Sequence, residues 1–174
     1  INSIEISPHD PGKVYITLMR YKFGDLTPYI YRSANYGKSW SRLNRGMPNN
    51  IFARVVREDP AREGLLYAGT ENGIYISLDD GRNWQPFQLN LPTVPITDLT
   101  IRNNDLVAST QGRSFWILDD LTPLHQYSNR IKRSKMHFFN PRPSYRVSGS
   151  SNPSKTIGQN PPNGAVFHYY LKDK

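Results

Sequence analysis

Ser33-Ala34-Asn35-Tyr36-Gly37-Lys38-Ser39-Trp40 and Ser77-Leu78-Asp79-Asp80-Gly81-Arg82-Asn83-Trp84 are two copies of one eight-residue pattern, 44 residues apart (33 to 77). A worn third copy follows. The stretch from Ala68 to Asp80 recurs 40 residues on (68 to 108) as Ala108 to Asp120, ending Phe115-Trp116-Ile117-Leu118-Asp119-Asp120. A repeat of this length built from short β-forming runs predicts the blades of a propeller.

The second copy shows the unit most clearly. Ala53 to Glu58 is rich in β-formers, and Asp59-Pro60-Ala61-Arg62-Glu63-Gly64 breaks it. Leu65 to Thr70 resumes, Glu71-Asn72-Gly73 turns, Ile74 to Ser77 alternates, and Trp84 to Leu89 makes a fourth run. Four short antiparallel strands joined by hairpins describe one blade.

The eight-residue pattern itself reads as folding chemistry. Asp79, or Asn35 in the first copy, can accept backbone N–H groups across the turn. Gly37 and Gly81 supply positive φ. Trp40 and Trp84 fold back to bury roughly 150–250 Å² each. With Ser33 and Ser77, these residues are structural elements of the turn.

The pattern Ser-x-Asp-x-Gly-x-x-Trp resembles the Asp-box, or BNR repeat, found in sialidases, sortilin-type receptors and several bacterial glycoside hydrolases. The stretch from Arg54 to Leu124 is similar to secreted bacterial BNR-repeat glycosyl hydrolases and sortilin-like propellers. Arg57-Glu58-Asp59-Pro60, Gly64-Leu65-Leu66-Tyr67-Ala68-Gly69-Thr70 and Thr110-Gln111-Gly112-Arg113-Ser114-Phe115-Trp116 carry that likeness. It covers roughly the first 125 residues. The resemblance implies a propeller and export to the periplasm, cell surface or medium. Enzymes and receptors share the fold, so it does not choose between them.

The expected organisation is three blades over residues 1–127 (about 2–44, 52–90 and 96–127), a basic Pro-rich linker over 128–163, and a β-strand over 164–174. In the resembling family such a strand opens a β-sandwich. Propellers close with roughly four to eight blades. Three blades therefore form an incomplete ring, and the chain reads as a fragment whose partners are further blades of a parent protein or companion chains. The predicted blade core is Val14, Ile16, Tyr31, Val55, Leu66, Tyr67, Tyr75, Val107, Phe115, Trp40, Trp84 and Trp116.

Charge is segregated. The formal net charge is +8, yet residues 1–120 hold 13 Lys/Arg against 13 Asp/Glu. Residues 121–174 hold nine Lys/Arg against Asp173 alone, so the whole excess lies there. Arg130, Lys132, Arg133, Lys135, Arg142 and Arg146 interleave with Phe138, Phe139 and Tyr145, a mixture that can bind single-stranded nucleic acid. The alternative, preferred here, is a crossing segment that buries Met136, Phe138 and Phe139 and turns its charges outward. No nucleic-acid-binding motif supports the first reading. The chain has no cysteine, which excludes disulfides and thiolate chemistry. No run reaches transmembrane length, and the first residues lack the form of a signal peptide.

Two candidate sites remain. The connection from Met19 to Tyr29 is unusually long for a hairpin turn and carries aromatic and ionic residues. Arg20, Lys22 and, from the third unit, Arg113 could receive an anionic or polyhydroxylated ligand, a carbohydrate or a protein. Tyr21 or Tyr29 would stack on a sugar face, and the arginine fork suits carboxylates. The plainer alternative is a set of solvated surface cations. The second candidate is catalytic. Glu5, Arg54 and Asp98 occupy comparable places on innermost strands, and glycoside hydrolysis takes two carboxylates. Asp98 would form half of such a pair, with Glu5 or a residue on an absent blade as the other. Asp119 and Asp120 align with the turn residues Asp79 and Asp80. His9, His125, His137 and His168 are scattered, so neither a metal site nor a cofactor is predicted, and His9 reads as a hydrogen-bonded turn residue.

Overall fold

The computed structural model describes residues 1–144 and 164–172. It divides into two compact units, Ile1–Leu118 and Asp119–Lys174.

The first unit is three antiparallel sheets in succession. The first contains β1 (Ser3–Ile6), β2 (Val14–Arg20), β3 (Asp25–Ser33) and β4 (Ser41–Arg42), in that order. The second contains β5 (Ala53–Glu58), β6 (Leu66–Thr70), β7 (Gly73–Ser77) and β8 (Gln85–Pro86). The third has β9 (Ile96–Arg102), β10 (Asp105–Thr110) and β11 (Phe115–Leu118). Each strand pairs with its neighbour in sequence. The innermost strand β5 packs against β2 on one side and β9 on the other. The unit is an incomplete propeller: two four-stranded blades and a third with three strands among the described residues.

The turn chemistry explains both the likeness of the first two blades and the difference of the third. Ser33 Oγ accepts the Gly37 N–H at 2.9 Å, and Ser77 Oγ accepts the Gly81 N–H at 2.9 Å. Asn35 Oδ1 accepts the Ser39 N–H at 2.9 Å, as Asp79 Oδ1 accepts that of Asn83 at 2.8 Å. The glycines sit at φ 81° and 78°. In the third copy Leu118 pairs with Leu106 where Ser77 pairs with Leu66, so the hydroxyl is missing. On that register the glycine's place falls to Thr122, and on the 40-residue count to Leu121 with φ −76°; neither is a glycine. The turn cannot form. Asp120 keeps a left-handed backbone at φ 64°, as Asp80 does at 62°, and its Oδ1 accepts the Thr122 N–H at 3.1 Å.

The core lies between blades. Both faces of the middle blade are covered, and β6 and β7 are buried throughout. Tyr15, Ile30, Leu43, Met47, Leu66 and Trp84 belong to one cluster between the first and second blades. Of the predicted core, Val55, Leu66, Tyr67, Tyr75 and Trp84 are buried. Trp40 and Phe115 are not, at 43% and 74% exposed. Each belongs to an end blade and has no further blade against it among the described residues.

The second unit begins with the short helices α1 (Thr122–Gln126) and α2 (Asn129–Arg133). The strand β12 (Met136–Phe138) then pairs antiparallel with β13 (Tyr169–Leu171). The expected linker thus contains a helix and a strand, and the expected lone C-terminal strand has its partner inside this unit. Ser128 Oγ caps α2 through the Ile131 N–H. Gln126 and Asn140 exchange two hydrogen bonds of 2.9 Å. Ile131 and Phe139 are buried, whereas Met136 and Phe138 are exposed, contrary to expectation. The alternation of β12 places those two on one face and His137 on the other. Tyr145, Arg146 and most of the Pro-rich stretch lie outside the described residues.

Candidate functional site

The turns within blades and the connections between them meet at one end of the first unit, called here the upper face. The within-blade turns are Tyr21–Phe23, closed by Gly24 at φ 72°, then Glu71 and Asn72, then Gln111 to Ser114. The between-blade segments are tied to them by Glu71 N–H to Phe52 C=O at 3.2 Å and Gln111 N–H to Pro95 C=O at 2.9 Å.

Between the first two blades this face carries aromatic rings and ions. The Tyr21 ring stacks on Phe52 with centroids 5.2 Å apart and planes 17° apart. Phe52 is buried and Tyr21 is 45% exposed, which leaves tyrosine surface open to solvent. The Arg54 guanidinium lies 5.2 Å from the Phe52 centroid and bonds Glu71 through Nε at 2.8 Å and NH2 at 2.7 Å. Arg20 pairs with Asp25 at 3.5 Å. The Tyr29 hydroxyl donates to Asp25 Oδ2 at 2.7 Å. That bond, with the Thr27 N–H, holds the Asp25 carboxyl below its ordinary range. The Tyr29 ring has Arg42 4.7 Å and Arg20 6.0 Å from its centroid and runs parallel to Tyr31.

The structure therefore brings Arg20, Tyr21 and Tyr29 together, with Lys22 and Phe23 exposed in the same turn. It does not join Arg113 to them. Arg113 is exposed two blades away; its N–H donates to Thr110 Oγ1 at 3.1 Å and its C=O accepts Trp116 Nε1 at 2.9 Å. Tyr29, flanked by Arg42 and Tyr31, is less open to a sugar ring than Tyr21.

A second group runs along the innermost strands. Arg57 NH1 lies 3.3 Å from Glu5 Oε2, and NH2 lies 2.7 Å from Asp98 Oδ1. Arg57 Nε donates to Leu99 C=O at 2.8 Å. One guanidinium from the middle blade thus ties both candidate carboxylates. Burial raises the Glu5 pKa and outweighs the opposing pull of Arg57. Sequence reasoning placed Arg54 in this line and missed Arg57. The signal was present: Glu5 pairs with Tyr15 as Arg57 pairs with Tyr67, so the two residues hold equivalent places in successive blades.

A third polar group is structural. Lys13, buried between the first two blades, lies 2.8 Å from Glu63, 3.9 Å from Glu58 and 4.0 Å from Asp80. Burial alone would lower its pKa, but these carboxylates outweigh burial and raise it. The Tyr15 hydroxyl donates to Asp80 at 2.5 Å, and Arg32 pairs with the same carboxylate. Burial first, and Asp80 second, push the Tyr15 phenol up. His9 Nε2 meets the Asp59 carbonyl at 2.7 Å. Among the described residues no three His, Asp or Glu side chains gather to hold a metal ion. No helix among them is long and apolar enough to cross a membrane.

No protein-family model and no curated protein sequence matches this chain. Solved structures do. An ancestral GH74 enzyme superposes with a TM-score of 0.52 and 20% identity, covering 64% of this chain and 14% of its own. The GH74 enzyme of Niastella koreensis gives 0.54 and 16%, covering 68% and 21%. YCF48 bound to D1 peptide gives 0.45 and 20%, covering 68% and 36%. The chain thus spans 14% to 21% of the length of the two GH74 enzymes. At such identities the likeness concerns fold alone, and the fold is the β-propeller.

Proposed function

We propose that this chain is an arc of an exported Asp-box propeller that binds a carbohydrate through its upper face and turns nothing over by itself. The observation that carries the reading is the Tyr21–Phe52 stack: Phe52 backs one ring with another, and Tyr21 keeps surface open. Rigid aromatic surface flanked by Arg20 and Lys22 suits a sugar ring with polar or carboxylate substituents. The Asp-box assignment rests on the two matched turns, and export rests on the resemblance of the Arg54 to Leu124 stretch. Ile4 and Ile6 on the first blade and Phe115 and Ile117 on the third are exposed, which supports further blades from a parent protein or companion chain.

The test is binding of the full chain to an array of neutral and carboxylate-bearing saccharides. Retention that falls about tenfold or more in Tyr21→Ala and Arg20→Ala, with unchanged circular dichroism, is expected; tenfold corresponds to about 1.4 kcal/mol. Retention of no saccharide, or retention indifferent to both substitutions, would overturn the reading.

One observation favours a second reading, a glycoside hydrolase completed by other blades. The half-buried Glu5 has its pKa raised by burial, the direction a general acid needs. Against it, Asp98 and Glu5 both pair with Arg57, at 2.7 and 3.3 Å, which ties up the two carboxylates. Release of reducing ends by the chain mixed with its missing blades, abolished by Glu5→Gln, would favour the enzyme.

A further inference from the structure

Trp84 shares the cluster between the first and second blades with Ile30, Leu43, Met47, Leu66, Ala68 and Tyr75. Each has a counterpart one blade further on. The Leu43 N–H donates to Ile30 C=O at 2.8 Å, as the Phe87 N–H does to Ile74 C=O at 2.8 Å. Met47 and Leu91 follow four residues after Leu43 and Phe87. Leu66 and Ala68 recur as Leu106 and Ala108, and Tyr75 pairs with Ala68 as Trp116 pairs with Ala108. Those six counterparts, Ile74, Phe87, Leu91, Leu106, Ala108 and Trp116, line an apolar groove with a cavity of about 50 Å³.

In the second blade the segment that delivers Trp84 continues as β8, which pairs on β7 through Tyr75 with Pro86 and Ile76 with Gln85. In the third blade no described strand pairs on the far side of β11. The Thr110 N–H donates to Ser114 C=O at 3.1 Å, which sets the alternation of the ladder. Trp116 and Leu118 therefore bond to β10, while Phe115 and Ile117 turn their backbone N–H and C=O groups outward. A hydrogen-bonding edge and an apolar groove lie side by side.

We propose that this edge and groove bind an extended strand of a protein partner, added antiparallel to Phe115–Leu118 with one leucine-sized side chain in the cavity. The occupant is specified by the chain's own repeat, where Trp84 and β8 fill the same place one interface earlier. Its size follows from the lining. Phe87 and Trp116 are bulkier than Leu43 and Tyr75, so the space is smaller than the one holding an indole. Strand addition supplies affinity through the main chain and specificity through the pocket. This site shares no residue with the upper-face cluster, and Tyr21→Ala should leave it intact.

The experiment titrates the full chain with the heptapeptide Arg-Asn-Leu-Gln-Pro-Phe-Gln, which is residues 82–88 with leucine at the third place. Amide NMR should show saturable shifts at Phe87–Leu91 and Phe115–Leu118 and at the lining residues Ile74, Leu106 and Ala108, with a Kd of about 1 mM or tighter. Exchange at the Phe115 and Ile117 amides should slow. Aspartate at the third peptide position should weaken binding about tenfold or more, as should Ile117→Pro, which removes an outward N–H and no ladder bond to β10. A peptide methylated on its backbone nitrogens tests the same bonds without altering the protein. Equal binding of leucine and aspartate peptides, or no saturable shift, would overturn the proposal. So would a dimer in the absence of peptide that Ile117→Pro disperses, because a second copy would then own the groove.

Discussion

The turns Ser33–Trp40 and Ser77–Trp84 make the same bonds to within about 0.1 Å, yet their tryptophans have different fates. Trp40 donates its indole N–H to Gly37 C=O at 3.1 Å, within its own turn, and is 43% exposed. Trp84 donates to Leu43 C=O at 3.1 Å, from the preceding blade, and is 4% exposed. The Trp84 N–H also bonds Arg45 C=O at 2.8 Å. The lesson is a separation of scales: a hydrogen-bonded turn is complete within eight residues, but the worth of its tryptophan depends on what the next sheet puts against it.

The sharpest way to break this comparison is to truncate both rings. Trp84→Ala should cost about 3–5 kcal/mol, the range for a buried aromatic, while Trp40→Ala should cost about 1 kcal/mol or less. Denaturant unfolding of the two variants checks it, and equal losses would refute the separation. The glycines come next. A methyl on Gly81 would meet Leu43 Cδ1 at 2.5 Å, whereas on Gly37 the nearest atom is Trp40 Cζ2 at 3.8 Å. Both carry the positive-φ penalty, so Gly37→Ala should cost about 1–2 kcal/mol. Gly81→Ala should cost about 1–3 kcal/mol more, through overpacking.

Ser33→Ala and Ser77→Ala sharpen the comparison from the other side. Both hydroxyls are buried and accept the equivalent glycine N–H. The losses should therefore match, at about 1–2 kcal/mol each. Unequal thermal shifts would mean that the turns are not locally complete.

The smallest effect is electrostatic. Burial alone would raise the Asp79 pKa, but the Asn83 side chain and backbone N–H, with the Ser77 hydroxyl, hold it below the ordinary value of 3.8. A folded pKa below the unfolded one contributes stability above pH 3.8 that is lost as pH falls through the folded value. Asp79→Asn should flatten this acid limb, and Asn35→Asp should add one to the first turn. Unfolding measured between about pH 2 and pH 6 would show both changes.

Much of this was legible in the chain. The Ser-to-Trp spacing announced the blades because a turn of that type is specified by a hydroxyl, a carboxylate or amide, and a glycine in fixed order. Loss of the third turn was only half legible: Leu121 at the glycine's place was visible, but the replacement of β-structure by α1 was not. The Pro-rich, basic composition after residue 127 suggested an unstructured linker. Composition does not report that Met136–Phe138 finds Tyr169–Leu171 thirty residues later. At the sites, the long Met19 to Tyr29 connection pointed to Arg20 and Tyr21. Their backing ring Phe52 comes from another blade and carried no local sign. Arg57 was missed because matching Asp10-Pro11 to Asp59-Pro60 sets Glu5 against Arg54, whereas strand pairing sets Glu5 against Arg57.

By itself, the amino-acid sequence determined what is decided within a few bonds: the hairpin turns, the strand alternation, the repeat and hence the propeller. Tertiary structure alone decided which equivalent residues are buried, which carboxylates share Arg57, and where an edge is left beside an apolar groove. The physical reason is range. Turn hydrogen bonds act between residues two to four apart, whereas desolvation and packing depend on sheets brought together from 40 or more residues away, as Trp84 and Leu43 are at a separation of 41.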